Sequence, residues 1–241
     1  MSSPTTQNAS NKRLIIVQIV TAIIAVIAVV ISAILALQEP ILMTPSLTPT
    51  PLASSLLRYG FDNGTMGWVP QTHSGDQAVI DVQQQTKFGQ SSLELQVELV
   101  GKDAQKSKGE VFVNLSSNPP LGIVPPLDLN GRLITMRVYI PSEAIGNSGS
   151  PNGIQIFVTD TSDRSQYGVW WNLTPDNTDK WTTVTLLPSP KTSPTEDQRG
   201  ASTSTGFDPS NIKIVGLKIG AASTFDKAFM GSIWIDGVSW P

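Results

Sequence analysis

The stretch SLELQVEL, residues 92–99, alternates apolar and polar side chains without a break. In an extended strand, successive side chains point to opposite faces. One face therefore carries the apolar residues and the other the acidic and amide residues: Leu93, Leu95, Val97 and Leu99 against Glu94, Gln96 and Glu98. This period of two predicts a half-buried β-strand, with one face on a core and the other in solvent.

The same alternation recurs along most of the chain. It is found in RLITMRVYI (132–140), GIQIFVTD (153–160), YGVWWNL (167–173), WTTVTLL (181–187), IKIVGLKIG (212–220) and SIWIDGV (232–238). Clusters of Pro, Gly, Asn and Asp separate these stretches, and no amphipathic helix of three turns is evident. Short alternating strands with turn signals between them predict an all-β protein. We expect an antiparallel β-sandwich or jelly roll over residues 57–241.

The alternation also predicts which side chains reach solvent. Strand 92–99 has an ordinary acidic and amide outer face, whereas strands 133–140, 154–160 and 167–173 expose aromatic and planar hydrogen-bonding groups. These outward groups are Arg137, Tyr139, Gln155, Phe157 and Trp170. We expect the three strands to share one sheet, opposite strand 92–99, and exposed aromatics there indicate a binding surface. A one-residue bulge would exchange Trp170 with Trp171 and turn the outward ring into the core.

The N-terminal part of the chain predicts a membrane anchor. Residues 14–37 contain no charge, and a helix of this length covers about 36 Å, enough to cross a hydrocarbon core of about 30 Å. Lys12 and Arg13 precede the span, which places the tail 1–13 in the cytoplasm and exports the rest of the chain. The alternative is a cleaved signal peptide, but its apolar region normally has about 7–15 residues. The Pro-, Thr- and Ser-rich residues 38–56 predict an extended linker.

Composition excludes several classes of function. The net charge is −3, which argues against a nucleic-acid partner. The chain has no cysteine and one histidine, so it has no disulfides, no thiol nucleophile and no multi-histidine zinc site. Its carboxylates fall mostly in turns or on solvent-facing positions, and no G-x-S-x-G motif is present. We therefore predict that the protein is not an enzyme.

The order of several motifs resembles one family. FDNGTMGW (61–68), FGQSSLELQV (88–97), GIQIFVTD, DKWTTVTL (179–186), IVGLKIG (214–220) and SIWIDGV follow one another as in carbohydrate-binding-module jelly rolls. These are galactose-binding-like β-sandwiches of the kind attached to bacterial mannanases and cellulases. The resemblance covers residues 58–241.

The resemblance implies that sugar binds on a concave sheet or in edge loops, through aromatic stacking with amide, acid and arginine contacts. Carried over by position, the candidate carbohydrate-binding residues are Arg137, Tyr139, Gln155, Phe157, Trp170 and Lys218. The implied partner is a polysaccharide or a cell-wall glycan. The alternatives are ordinary packing of the aromatic residues, and an envelope scaffold or adhesion module that contacts proteins with the same β-sandwich.

The resemblance also implies one structural calcium ion. In the family an acidic residue of the first strand and the aspartate of the last strand often meet at this ion, and Asp62 and Asp236 match those positions. Calcium takes about six to eight oxygen ligands, and Gly237 stands where a second aspartate is common. The alternative is that both carboxylates cap backbone groups. In either case we expect the two end segments to pair in one sheet.

Overall fold

The alternating stretches form the strands of the protein in a computed structural model, which describes residues 56–71, 77–101, 106–147, 149–190, 200–221 and 229–241. The strands in chain order are β1 Leu56–Tyr59, β2 Trp68–Pro70, β3 Val79–Lys87, β4 Gln90–Leu99, β5 Lys108–Asn114, β6 Ile134–Tyr139, β7 Gly146–Asn147, β8 Ser150–Pro151, β9 Gly153–Asp160, β10 Ser165–Tyr167, β11 Trp171–Asn172, β12 Trp181–Leu186, β13 Ser202–Thr203, β14 Ile212–Gly220 and β15 Phe229–Trp240. Among these described residues, the one helical segment is a single 3-10 turn, Ser142–Ile145. The predicted all-β fold is confirmed.

The strands form two main antiparallel sheets. Sheet A has six strands in the order β12–β6–β15–β4–β3, with β1 also pairing with β15. Sheet B has seven strands in the order β13–β10–β9–β14–β5–β2, with β11 also pairing with β9. Strands β7 and β8 form a separate hairpin. The predicted antiparallel sandwich is therefore confirmed.

The core lies between the two sheets and is built from the apolar half of each alternating strand. Sheet A contributes Leu93, Leu95, Val97, Ile134, Met136 and Val138, and sheet B contributes Val111, Val113, Ile154, Ile156, Val215 and Leu217. Burying each such side chain stabilises the fold by about 1.5–3 kcal/mol. The inward half of the predicted alternation is thus confirmed in strands 92–99, 133–140 and 154–160.

One expectation about the sheets is wrong. Strand β6 lies in sheet A next to β15, which in turn pairs with β4, whereas β9 and β14 lie in sheet B. Arg137 and Tyr139 therefore share a sheet with strand 92–99 and lie on the opposite side of the sandwich from Phe157. The physical reason is that alternation tells inside from outside in every strand, but only the hydrogen-bonding partner decides which sheet the strand joins.

The two ends of the chain meet in sheet A, as expected, but through a different segment. Strand β15 pairs with β1, in the register Leu56↔Trp240. The segment 61–67 is a turn in which Phe61, Gly64, Met66 and Gly67 have positive φ. It carries the chain from sheet A to β2 in sheet B.

A bulge decides the side on which the paired tryptophans lie. Tyr167 pairs with Phe157, whereas Trp171 pairs with Ile154, so four residues along this segment advance over only three of β9. The extra residue places Trp171 against the core. Trp170 lies on the outer face of sheet B.

The predicted membrane span, residues 14–37, lies outside the described residues, as do the tail and nearly all of the linker. Within the described part of the chain, no helix is long and apolar enough to cross a membrane.

Candidate functional site

The outer face of sheet B carries a row of aromatic side chains across four adjacent strands. Register places Tyr167 of β10 opposite Phe157 of β9, Phe157 opposite Gly216 of β14, and Gly216 opposite Phe112 of β5. Glycine within a strand marks a close approach of another group. Here the missing side chain leaves room for a ring, because a Cβ on Gly216 would lie 2.4 Å from Phe157 Cζ.

Phe157 is the floor of this face. Its ring stacks on that of Tyr167, with centroids 5.3 Å apart and an interplanar angle of 26°. Only 3% of the residue is exposed, so the expectation of a solvent-facing Phe157 is wrong. Strand β9 is buried on both faces, since the rings of Tyr167 and Trp170 lie over its outer face.

A buried acid stands beside the aromatic floor. Glu110 on β5 is 2% exposed, and its Oε1 accepts a hydrogen bond of 3.0 Å from the Tyr167 hydroxyl. The ammonium of Lys218 lies 3.9 Å from the same oxygen and 4.8 Å from the centroid of the Tyr167 ring. A buried charge is tolerated only when it is paired and hydrogen-bonded, and these two groups supply that compensation.

These groups line a cleft of about 240 Å³, which we call the aromatic cleft. Its lining residues are Gln71, Glu110, Phe112, Phe157, Thr159, Asp163, Ser165, Tyr167 and Ile214. Hydroxyl, amide and carboxylate groups line the cleft around the aromatic rings at its base. Small-molecule sites are usually lined mainly by apolar groups and exceed about 300 Å³, whereas this cleft is smaller and more polar. The size of the aromatic cleft suits one small ring rather than a long chain.

Two further predicted residues share this face but serve the fold. Gln155 is 4% exposed, contrary to expectation, and its Nε2 donates to the carbonyls of Gly168 at 3.0 Å and Gly200 at 2.7 Å. The half-buried Trp170 packs over Gly153 and Gly220, which face each other on β9 and β14. Its indole is so close that a Cβ added to these glycines would lie 2.3 and 2.8 Å from it. Aromatic rings commonly cover glycines in this way.

The outer face of sheet A holds the other two predicted residues within a second aromatic surface. Tyr139 on β6 pairs with Trp181 on β12 and with Trp234 on β15. The three ring centroids are 5.9 and 5.7 Å apart in edge-to-face contacts. Phe88, at the tip of the β3–β4 hairpin, packs on Tyr139 at 5.0 Å. We call these four residues the ring cluster.

Arg137 belongs to an ion pair at the edge of the ring cluster. Its Nη1 donates to Asp236 Oδ2 at 3.0 Å, and its guanidinium lies 5.2 Å from the centroid of the Trp181 ring. Burial raises the pKa of Asp236, and the charge of Asp62 raises it further, against the lowering effect of Arg137 and of the Gly237 N–H.

This arrangement bears on the predicted calcium ion. The charge of Asp62 acts on Asp236, but Arg137 already pairs with Asp236. Among the described residues, no three acidic or histidine side chains group together in a way that could hold a metal. Arg137 therefore competes with a cation for Asp236. Calcium binding stays a prediction.

Several residues of both surfaces were not singled out from the sequence. Glu110 and Phe112 alternate with the core residues Val111 and Val113 in KGEVFVN. This alternation is the sequence signal that would have placed both side chains on the outer face. Trp181 and Trp234 lie on the outer face of sheet A, Trp181 on the edge strand β12 and Trp234 on the central strand β15. They come together from strands 53 positions apart, which no local pattern indicates.

Comparison with solved structures aligns the chain with carbohydrate-binding modules. One is a module described for promiscuous specificity within the β-sandwich superfamily, with 17% identity, a TM-score of 0.47, and 77% of this chain covered against 61% of that one. Another is the family 11 module of a cellulosomal cellulase from Clostridium thermocellum, with 11% identity, a TM-score of 0.44, and 77% and 93% covered. A module specific for non-crystalline cellulose has 13% identity, a TM-score of 0.44, and 77% and 94% covered.

No protein-family model matches the sequence, and no curated protein matches it. The chain spans less than two thirds of the first of these modules.

Proposed function

We propose that the β-sandwich is a non-catalytic carbohydrate-binding module, and that the aromatic cleft on sheet B binds one sugar unit of a polysaccharide or cell-wall glycan. The observation that carries the proposal is the pairing of an aromatic floor with a buried, hydrogen-bonded acid in one cleft. A sugar ring offers an apolar face to an aromatic side chain and a rim of hydroxyls that donate and accept hydrogen bonds.

Each part of the aromatic cleft has a role in this proposal. The half-exposed Phe112 and Tyr167 provide the surface on which a sugar ring stacks, above the buried Phe157. Glu110 accepts hydrogen bonds from sugar hydroxyls, and Tyr167 and Lys218 hold its carboxylate in position. Because these contacts are made before any ligand arrives, little side-chain entropy is lost on binding.

Affinity electrophoresis of the full chain tests the proposal, with gels that contain mannan, glucan, xylan or peptidoglycan. The detergent must lack a sugar headgroup, since such a headgroup would compete for the cleft. We expect at least one polysaccharide to retard the protein. Phe112→Ala should weaken retardation severalfold, since stacking on one aromatic residue contributes about 0.5–1.5 kcal/mol.

Matched variants locate the site. Tyr167→Phe keeps the ring and removes the hydroxyl that bonds Glu110, so it should weaken binding less than Phe112→Ala does. Met230→Ala removes an exposed apolar side chain from the opposite sheet and should leave retardation unchanged. Equal losses in Met230→Ala and Phe112→Ala would refute the aromatic cleft as the site. No retardation by any polysaccharide would refute the carbohydrate function and favour the adhesion alternative.

The proposal includes display outside the membrane. The uncharged residues 14–37 anchor the chain, the linker spaces the β-sandwich from the bilayer, and the tail with Lys12 and Arg13 stays in the cytoplasm. Because the chain has no cysteine, single introduced thiols report the topology. A membrane-impermeant maleimide should label Ser210→Cys in intact cells and should label Ser3→Cys only after lysis. The reverse pattern would refute this orientation.

A further inference from the structure

Three residues of the ring cluster on sheet A surround the ammonium group of the partly exposed Lys87. The Nζ atom lies 3.6 Å from the centroid of Trp234, 4.6 Å from that of Tyr139 and 4.9 Å from that of Phe88. All three distances are within the roughly 6 Å over which a cation is attracted to the face of a ring. Three rings around one cation form an aromatic cage.

Lys87 is a poor occupant of this cage. Its ammonium has three hydrogen-bond donors, and among the described residues its recorded contacts are with rings alone, without an ion pair or a hydrogen bond. Lys87 is partly exposed, so a donor that turns from solvent toward a ring exchanges a water acceptor for a weaker partner. A quaternary ammonium carries the same charge and has no donor to satisfy, so it suits the cage better than Lys87 does.

The surroundings favour a positive ligand. Glu94 lies beside Trp234 on the neighbouring strand, in register with it. Burial raises the pKa of Tyr139, and the negative charges of Asp179 and Glu143 raise it further, which places both acids near the cage. The faces of aromatic rings are themselves electron-rich. Arg137 at the edge of the ring cluster is paired with Asp236, so the acidic groups and the electron-rich rings near the cage favour a cation over an anion.

The backbone of Phe88 gives an independent indication that this surface is used. Phe88 and Gly89 form the two-residue turn between β3 and β4, with φ of 51° and 78°. Such turns favour Asn-Gly or Gly-Gly, because bulky residues adopt positive φ only with strain. A strained phenylalanine that is also 68% exposed is held against Tyr139. Strain of this kind concentrates at ligand clamps and binding sites.

We infer that the cage of Phe88, Tyr139 and Trp234 binds a quaternary ammonium group, which displaces the ammonium of Lys87 into solvent. The ligand belongs to the class of choline and related trimethylammonium compounds. Three ring contacts at a partly exposed site correspond to a dissociation constant of about 5–80 mM. This site is separate from the aromatic cleft and does not depend on saccharide binding there.

Saturation-transfer NMR on the trimethylammonium protons of choline tests the inference with the full chain. Ionic strength is held constant, and the detergent must be non-ionic and free of choline headgroups. We expect transfer to the wild type and at least tenfold weaker binding of 3,3-dimethylbutanol, the uncharged analogue of choline. Glycerophosphocholine is measured beside choline to distinguish a lipid headgroup from a free cation as the ligand. Its phosphate would lie near the acidic residues around the cage, so weaker binding than that of choline indicates a free cation, and equal or tighter binding indicates a lipid headgroup.

Variants separate the cage from other sites. Lys87→Met removes the internal competitor and should tighten choline binding severalfold, whereas Trp234→Ala should abolish it. Phe88→Ala changes an exposed turn residue and should weaken binding severalfold, which keeps the test valid if Trp234→Ala fails to fold. Lys213→Met removes one positive charge on the other sheet, where Lys213 pairs with Asp163, and should change nothing.

Four results would overturn the inference: no transfer to the wild type, equal binding of the uncharged analogue, binding that survives both Trp234→Ala and Phe88→Ala, or binding by Lys87→Met alone. Polysaccharide retention that depends on Phe88, without any choline signal, would make the ring cluster a saccharide surface and would also overturn it.

Discussion

Gly216→Ala places a methyl group where the ring of Phe157 now lies. The new Cβ would be 2.4 Å from Phe157 Cζ and 2.7 Å from the carbonyl oxygen of Val111, whereas ordinary contact begins at 3.4 Å. The ring has to retreat by about 1 Å, and the carbonyl belongs to a backbone that cannot easily move. The floor of the aromatic cleft depends on this one missing side chain.

The magnitude follows from two opposing effects. Overpacking a well-packed position costs about 1–3 kcal/mol, and two simultaneous clashes place this site near the upper end. Alanine recovers about 0.5–1 kcal/mol relative to glycine within a strand. The net loss is about 2 kcal/mol, which for a domain of this size lowers Tm by about 4–8 °C.

Thermal unfolding of the full chain, followed by near-ultraviolet circular dichroism, measures this loss. Gly149→Ala is the control, since its Cβ would meet its nearest neighbour at an ordinary 3.5 Å. Adding Phe157→Leu to Gly216→Ala removes the ring contact but not the contact with the Val111 carbonyl. We expect a coupling of about 1 kcal/mol between the two changes. An unchanged Tm in Gly216→Ala, or strictly additive effects, would refute the position given to Phe157.

Three further predictions concern carboxylates. Asp160 accepts hydrogen bonds from three backbone N–H groups at 2.8–3.0 Å. Asp160→Asn should therefore lower the free energy of unfolding, measured in urea, by about 1.5–3 kcal/mol. An unchanged urea midpoint would contradict this role. Because burial raises the pKa of Asp236 above the usual value of about 4, its contribution to stability is present below that pH and is lost as pH rises through the folded-state pKa. Asp236→Asn should therefore remove this part of the pH profile of Tm, and identical profiles would disprove the shift. A calcium ion bound at Asp62 and Asp236 should raise Tm in calcium relative to chelator. Arg137→Gln should enlarge this increase, because it frees the Asp236 carboxylate. If neither the wild type nor Arg137→Gln differs in Tm between calcium and chelator, the ion is excluded.

Local pattern predicted the strands well and the candidate site only in part. GIQIFVTD and IKIVGLKIG form strands with the predicted bounds, because alternation over eight or nine residues is a strong signal. The strand predicted over YGVWWNL is instead split into β10 and β11 by a bulge. A bulge adds one residue without any compulsory sequence signal, and it decides which tryptophan reaches the outer face.

By itself, the sequence determined the all-β class, the apolar face of each strand and the uncharged segment of residues 14–37 with its flanking charges. These properties depend on the spacing of residue types along the chain. Only the tertiary structure decided that β6 and β9 lie in opposite sheets, which separates Arg137 and Tyr139 from Phe157 and Lys218. It alone brought Lys87 into contact with Trp234, since strand order and register arise from contacts between distant segments.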